Sequence, residues 1–468
     1  MASVFQEATQ ALVKQLDPTG DLIPVDSIID NSCFRPFCLV RRKRKSTLFW
    51  GAKYVKTDFS LRDILEAKTQ LPEPRKDPKI KIQGKSERTM QAGVKTEAIG
   101  IPLDVTISAG GSHDNCLEVQ KLSIKDKLES LKKRELKGQE PNFLKKLRKR
   151  GENLYMVTEA METLTEAKLK KSGKGGASFS IPILTALGFK GSSDTTIEIS
   201  PRSILAFRIK QLFIKAKFWG TLDLDLEDEN IKTFESDEGI IPLRGFAVPY
   251  SIMWQQEPET PSQSTTGFQA LQAEVKPEIH ILETLTLKHR QSLMEALLGL
   301  LGQAKDLQEL EDTMNRALDL EEPVTPGFLG GPGDAILAKL QDASGKLNPS
   351  WAGSILYLLG ALHELSKEQQ HLLAMSVEKE ILSQQLQLMK TILDENFLRT
   401  EAGPFPLHCE LLQSLQGEEL IVTQALIGLC GLDLQGDGPL FAWDPDALPP
   451  LCALYAALSV FQALARTS

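Results

Sequence analysis

The spacing of apolar residues changes near the middle of the 468-residue chain. In the first half, short stretches alternate apolar and polar positions, which is the period of a β-strand with one buried face. Residues 37–40, 54–59, 79–82 and 195–200 follow this pattern, and one amphipathic helix at residues 4–16 precedes them. The pattern predicts an N-terminal domain built on a twisted, mostly antiparallel sheet with accompanying helices.

Helical spacing dominates from residue 268 onward. Apolar residues recur every three or four positions, Leu is abundant, and strand patterns are nearly absent, so we predict an all-α helical domain. Residues 258–266 are rich in Pro, Ser and Thr, which is typical of a flexible linker. The predicted fold class is α+β, with one domain at 1–233, a linker at 234–266 and a second domain at 267–468.

The net charge of −8 conceals an uneven distribution. Residues 1–237 carry 41 Lys and Arg against 32 Asp and Glu, whereas residues 238–468 carry 13 against 30. Because halves of opposite sign attract each other, we expect charge to help hold the two domains together. The basic half, with its net charge of +9, should also have an anionic partner of its own.

The most basic stretch, here called the basic loop, is residues 41–51, which read R-R-K-R-K-S-T-L-F-W-G. Its five consecutive cations lead directly into Leu48, Phe49 and Trp50. An anionic membrane surface attracts such cations, and neighbouring aromatic side chains can enter its headgroup layer. A solvated basic loop followed by a core aromatic residue, or a nucleic-acid patch, has the same composition.

In two further stretches, around residues 71–110 and 154–200, apolar and polar residues alternate only weakly. This pattern is compatible with two different structures. A β-hairpin that lines a pore needs one apolar face for lipid and one polar face for water. An edge of a water-soluble sheet shows the same alternation. The pattern alone leaves both interpretations open.

The sequence lacks the usual catalytic and metal-binding patterns. Its six cysteines and six histidines are scattered, with no CxxC pair, no P-loop and no zinc-ligand spacing. We therefore expect no enzyme activity, no metal and no cofactor. No apolar run of about 18 residues predicts a transmembrane helix, and the first residues do not have the pattern of a secretory signal.

Several irregular motifs occur in a fixed order along the chain. They are residues 20–24 (G-D-L-I-P), 34–40 (F-R-P-F-C-L-V), 42–52, 151–155 (G-E-N-L-Y), 355–362 (I-L-Y-L-L-G-A-L), 443–446 (W-D-P-D) and 451–456 (L-C-A-L-Y-A). In these motifs the sequence resembles the gasdermin family over essentially its full length, and within it the A type.

The resemblance implies a cytoplasmic precursor whose C-terminal domain covers a pore-forming N-terminal domain. Cleavage of the linker would free the N-terminal domain, which would bind acidic phospholipids such as phosphoinositides, phosphatidylserine and cardiolipin. The freed domains would form a homo-oligomer at the plasma membrane and insert two β-hairpins each into a large β-barrel. Pyroptotic lysis of the cell would follow, and no nucleic-acid partner is expected.

The resemblance also assigns residues to these steps. The lipid-binding residues are Lys14, Arg41, Arg42, Lys43, Arg44, Lys45, Lys145, Lys146 and Arg148. Phe49 and Trp50 are the expected membrane contacts. Tyr357 and Ala361 are expected to hold the two domains together, against Gln15 of the first helix and the apolar hairpin element that includes Ile183 and Leu184.

Two sequences near the linker resemble caspase sites. Phe234 lies three residues before Asp237, in the arrangement that inflammatory caspases accept, so we expect the activating protease to cut after Asp237. Asp228, at the end of D-L-E-D, is the alternative. Each aspartate is followed by an unfavourable Glu.

A second class of function stays open from sequence. The basic half could bind a lipid surface or a nucleic acid in the cytosol without inserting into a membrane. Binding without leakage from vesicles would distinguish this interaction protein from a pore former.

Overall fold

A computed structural model gives the fold of the chain. It describes residues 4–17, 21–26, 34–51, 53–66, 71–83, 105–109, 116–132, 134–138, 140–171, 195–215, 218–222, 232–234, 267–320, 322–324, 327, 329–406, 415–435 and 440–466. Everything below refers to these residues.

The N-terminal half is organised around an antiparallel sheet of eight strands. The strands of this half are β1 (Ile23–Pro24), β2 (Cys38–Arg42), β3 (Tyr54–Ser60), β4 (Arg75–Gln83), β5 (Val105–Ala109), β6 (Cys116–Ser123), β7 (Leu154–Thr163), β8 (Ala167–Lys171), β9 (Thr195–Ile199), β10 (Ile204–Lys215) and β11 (Phe218–Leu222). The main sheet runs in the order β1-β10-β7-β2-β3, with β11 paired to β10, and with β6 joining β4 to β7. Every residue of β7 is buried, which makes this strand the centre of the half.

Helices cover the sheet on both faces. They are α1 (Val4–Leu16), α2 (Leu61–Ile64), α3 (Leu128–Lys132) and α4 (Asn142–Arg150). Phe5 and Leu12 of α1 pack with Phe207 of β10 in one apolar cluster. Leu144 and Leu147 of α4 lie in a second cluster, whereas Lys145, Lys146 and Lys149 of α4 are exposed. This division follows the sequence, because α4 has its apolar residues on a single face.

The C-terminal half is a bundle of helices. They are α5 (Phe268–Glu283), α6 (Leu287–Leu300), α7 (Ala304–Leu320), α8 (Gly331–Leu340), α9 (Pro349–Glu364), α10 (Lys367–Glu378), α11 (Leu382–Asn396), α12 (Glu418–Gly428) and α13 (Leu448–Ala465). α13 is apolar on all sides and forms the middle of the core, in contact with α5, α6, α9 and α11. Three short strands, β12 (Gly403–Pro406), β13 (Asp433–Gln435) and β14 (Leu440–Trp443), form a small antiparallel sheet beside the helices.

One described helix has the length and hydropathy to cross a membrane. It is Pro445–Ala465, with a mean hydropathy of 1.6 over its most apolar window. Of that window, 78% is buried inside the protein. The sequence predicted helical spacing over residues 451–464 but no transmembrane helix, and in the fold this segment is a core helix.

The α+β fold class predicted from sequence is confirmed, and the strands on either side of the basic loop are present as β2 and β3. The small C-terminal sheet adds to the predicted helices. The pairing in residues 71–110 differs from a simple hairpin: β4 pairs with β6, whereas β5 pairs with β8 in a separate sheet of three strands. Local alternation cannot distinguish these partners, since it reports only which face of a strand is buried.

Candidate functional site

The basic loop has a defined backbone conformation. The Lys43 amide donates to the Lys53 carbonyl at 2.8 Å, and the Ser46 amide donates to the Lys43 carbonyl at 3.1 Å. The Lys53 amide donates to Ser46 Oγ at 2.6 Å. Gly51 has φ +95°, a conformation that glycine adopts without steric cost. The loop therefore holds its side chains in fixed directions.

Four of the five loop cations form ion pairs with carboxylates of the C-terminal helices. Arg41 and Arg44 reach Asp319 of α7 at 2.8 and 2.6 Å, and Arg150 at the end of α4 joins them at 3.2 Å. Lys43 Nζ lies 2.7 Å from Glu311, and Lys45 Nζ contacts Glu278 of α5. Among the described residues, Arg42 has no ion pair. The C-terminal helices thus neutralise most of the loop.

Glu311 is the most buried acid of this interface, with a side-chain exposure of 1%. Its Oε2 atom lies 2.7 Å from Lys43 Nζ and 2.9 Å from His363 Nε2. Burial raises the pKa of Glu311, but His363 and Lys43 more than offset burial and lower the pKa to about 2. The carboxylate is therefore ionised, and it depends on the loop for part of its stabilisation.

A second buried charge group lies beside the loop. Lys53, just after the loop, reaches Glu364 at the end of α9 at 2.5 Å. Burial favours the neutral amine of Lys53, yet the carboxylates of Glu364 and Asp26 raise its pKa overall. Burial raises the pKa of Asp26 despite the opposing influence of Lys53. The Lys53 ammonium group is therefore paired with a carboxylate of the C-terminal half and also feels the charge of Asp26 in the N-terminal half.

The aromatic end of the loop inserts into the C-terminal core. Trp50 is 6% exposed and belongs to the same apolar cluster as the C-terminal helices. Its ring centre lies 5.5 Å from that of Tyr357 on α9, and the Phe49 ring meets Phe397 edge-on at 6.0 Å. Leu48, between them and the cations, is 61% exposed. In the intact chain Phe49 and Trp50 are thus packing residues of the domain interface.

A glycine on α9 allows the close approach of Lys45. A Cβ atom added at Gly353 would lie 3.0 Å from Cε of Lys45, closer than an ordinary van der Waals contact. Thr47 Oγ1 donates to Glu274 of α5 at 3.0 Å. Burial raises the pKa of Glu274 and also that of Tyr357, which the Glu274 carboxylate faces. The surface that receives the loop is therefore both acidic and largely buried from solvent.

The other residues predicted from sequence fall into three groups. Tyr357 and Ala361 lie on α9, both buried, and Tyr357 contacts Trp50. Lys14 and Gln15 are in α1, but their side chains lie outside the described part of the structure. Ile183 and Leu184 lie outside the described residues altogether, as do Asp228 and Asp237. The predicted contact of Tyr357 with the first helix and the apolar hairpin therefore stays a prediction.

The cations of α4 are mostly directed to solvent. Lys145 and Lys146 are exposed, and neither forms an ion pair with another described residue. Arg148 pairs with Glu140 at 2.8 Å, and its guanidinium group lies over the Phe234 ring at 5.2 Å. Part of the basic surface thus remains accessible in the intact chain.

Phe234 bears on the predicted cleavage site. It is 8% exposed and packs with the N-terminal apolar residues around α4. A protease that recognises the side chain three positions before Asp237 must first draw Phe234 out of this cluster.

The individual acids that contact the basic loop or Lys53 beside it were not predicted from the sequence. They are Glu274, Glu278, Glu311 and Asp319 for the loop and Glu364 for Lys53. The charge of the second half predicted an acidic surface, and the four-residue spacing of Glu274 and Glu278 indicates one helical face. Which acids meet which cations depends on how helices distant in sequence pack together.

Comparison with known proteins agrees with this two-part arrangement. The family model described as the gasdermin pore forming domain matches residues 4–236, and the model described as the gasdermin PUB domain matches residues 267–441. The chain belongs to the gasdermin family of pore-forming proteins. Human gasdermin-A is 40% identical and mouse gasdermin-A 41% identical, each over 100% of both chains. A chain from the cryo-EM structure of the gasdermin A3 membrane pore is 31% identical and covers 50% of this chain and 100% of its own length, with a TM-score of 0.33.

The ion pair between Lys43 and Glu311 should contribute measurably to the association of the two halves of this gasdermin. Replacing Glu311 with Gln leaves the partly buried Lys43 ammonium without its carboxylate, which we expect to cost about 1–3 kcal/mol, or a roughly 5- to 150-fold weaker association. The rate at which the halves separate can be measured after the linker is cut at a foreign protease site introduced at residues 255–261.

Glu309→Gln on the same helix is the matched control. Glu309 is 50% exposed, and within the described part of the chain its ion pair is with Lys305 four residues earlier, at 3.5 Å. Such exposed pairs contribute little, so this variant should separate like the wild type. Equal separation rates for the two variants would contradict the assigned role of Glu311.

The contribution of Glu311 should also depend on pH. Its pKa in the folded chain is about 2, below the value of 4.5 for a free carboxyl. The stability that it contributes is therefore fully present above about pH 5 and is lost as the pH falls through about 4.5 towards 2. The difference in thermal midpoint between the intact wild type and Glu311→Gln should narrow as the pH falls from about 5 to about 3. A difference that stays unchanged down to about pH 3 would contradict the assignment.

Proposed function

We propose that this gasdermin is the autoinhibited precursor of a membrane pore-forming protein. In the intact, cytoplasmic chain the C-terminal helices cover the basic loop. Proteolysis of the linker lets the C-terminal part leave. The freed N-terminal part then binds acidic phospholipids at the plasma membrane, forms a homo-oligomer and inserts β-hairpins as a large barrel, with pyroptotic lysis as the result. No enzymatic step of its own is involved.

One observation carries the proposal: the residues suited to a membrane are already occupied. Lys43, Lys45 and Trp50 are engaged by Glu311, Glu278 and Tyr357. An ammonium group that is paired with a buried carboxylate cannot at the same time neutralise a phosphate of a lipid headgroup. Covering the loop and binding a membrane are therefore mutually exclusive states.

Electrostatics favours the membrane once the acidic part has gone. Each well-placed cation near an anionic leaflet contributes about 1 kcal/mol. The loop cations Arg41, Arg42, Lys43, Arg44 and Lys45, together with Lys14, Lys145, Lys146 and Arg148, would supply this attraction. Phe49 and Trp50 would then enter the headgroup layer, where aromatic side chains are favoured.

Oligomerisation follows from the backbone requirements of a membrane. Strands inside the hydrocarbon layer must satisfy all their N–H and C=O groups, and only a closed barrel leaves no unpaired edge. One subunit with two hairpins cannot close a barrel. Insertion therefore needs several copies of the N-terminal part.

The central experiment compares cut and intact chains on dye-filled vesicles. With a foreign protease site at residues 255–261, the cut chain should release dye from vesicles containing phosphatidylserine or a phosphoinositide, and the intact chain should not. Vesicles of phosphatidylcholine alone are the control and should retain their dye. Full dye retention after complete cutting would contradict pore formation, and binding without leakage would favour a surface-binding protein instead.

The natural protease is proposed to be of the caspase type and to cut after Asp237. Incubating the intact chain with inflammatory and executioner caspases should give one new N-terminus at Glu238, and Asp237→Ala should resist cutting. A new N-terminus at Glu229 would instead identify Asp228 as the site. Complete resistance of the wild type to every caspase would exclude this class of protease.

A further inference from the structure

Two residues beyond the last strand of the N-terminal sheet, Thr233 and Phe234, are built into the N-terminal core. Thr233 is completely buried and Phe234 is 8% exposed, whereas the preceding Lys232 is exposed. A linker that merely joins two domains would have no reason to bury consecutive side chains. We call Thr233 and Phe234 the anchor residues.

Thr233 connects two strands that are distant in sequence. The Leu154 amide at the start of β7 donates to Thr233 Oγ1 at 2.8 Å, and the Ile214 amide of β10 donates to the Thr233 carbonyl at 2.7 Å. The Thr233 amide in turn donates to Asn153 Oδ1 at 2.9 Å. Leu154 and Ile214 are both almost completely buried, so water cannot replace Thr233 as their partner.

Phe234 forms part of the apolar surface on which the basic helix α4 packs. It lies in one apolar cluster with Leu144 and Leu147 of α4 and with Ile214 of β10. A parallel β-bridge joins it to Ile214, and the Arg148 guanidinium group lies over its ring at 5.2 Å. Such a cation–π contact adds directional attraction to the apolar packing. Removing Phe234 would uncover the apolar face that holds α4 on the sheet.

From these contacts we propose that the anchor residues are the last structural segment of the pore-forming domain, so that only a cut beyond Phe234 releases an active N-terminal fragment. The inference rests on the proposed function and refines its activation step. Proteolysis adds water across one peptide bond and gives a new carboxylate and a new amine. Where that bond lies decides which product keeps the anchor residues.

A cut before Thr233 is unproductive for two reasons. The C-terminal product keeps Thr233 and Phe234, and while these still occupy their site in the N-terminal core they hold the two products together. If the products do separate, the N-terminal product loses the hydrogen-bond acceptors of the Leu154 and Ile214 amides and the apolar contact of Phe234 with α4. Of the two predicted sites, Asp228 therefore yields an inactive product and Asp237 an active one.

One chain with two foreign protease sites tests this directly. A seven-residue site for one sequence-specific protease replaces residues 223–229, and a site for a second protease replaces residues 255–261. Both sites are present in every sample, so any effect of the replacements is the same in all of them. Each sample is cut to completion with one protease and added to vesicles containing phosphatidylserine.

The cut at 255–261 should release dye, and the cut at 223–229 should release it at least tenfold more slowly. Rates within twofold of each other would overturn the proposal. Because the first cut tests pore formation alone, its failure would count against the proposed function and not against the anchor residues.

Hydrogen exchange of the intact chain tests the anchor without any membrane. Thr233→Val keeps the volume of the side chain but removes the acceptor of the Leu154 amide, so this amide should exchange at least tenfold faster than in the wild type. Lys232→Gln, at the exposed neighbouring position, is the matched control and should leave the exchange unchanged. An unaltered exchange rate at Leu154 in Thr233→Val would overturn the anchoring role, whatever the vesicles do.

Discussion

The pairing of Lys43 with Glu311 and the insertion of Trp50 beside Tyr357 impose the constraint on which the whole arrangement depends. A charge taken out of water must keep a partner of opposite sign, and an isolated buried carboxylate or ammonium is strongly disfavoured. Glu311 is 1% exposed and has Lys43 and His363 as its partners. The C-terminal helices can therefore hold this acid in place most favourably while the basic loop is docked. The same loop cations can pair either with the carboxylates of these helices or with the anionic headgroups of a membrane.

The covalent connection makes the docked state dominant. Two parts of one chain meet at a high effective concentration, so even a modest interface stays closed while the linker is intact. Many of the contacts are ion pairs with partly exposed cations, and Lys45 is 38% exposed. Pairs of this kind contribute less than buried ones. In the proposed mechanism, a cut linker followed by competition from an anionic surface would therefore separate the parts.

The sequence predicted the fold class, the strands around the basic loop and the charge complementarity of the two halves, because periodicity and net charge are local or additive properties. It did not predict that Trp50 would pack on Tyr357, since an aromatic residue beside cations suits a membrane and a protein pocket equally. The partner of β4 was not predictable either, because alternation reports which face of a strand is buried and not which strand it pairs with. Likewise, Phe234 looked like part of a protease site in a linker, and only tertiary packing identifies it as part of the core.

We infer that the basic loop cannot bind the C-terminal helices and a membrane at the same time. Flotation of the cut chain with vesicles containing phosphatidylserine tests it most directly, with both fragments followed on a gel. We expect the N-terminal fragment to float with the vesicles while the C-terminal fragment stays in solution. Equal amounts of both fragments on leaking vesicles would contradict it, because the loop would then bind lipid while Glu311 and Tyr357 still held it.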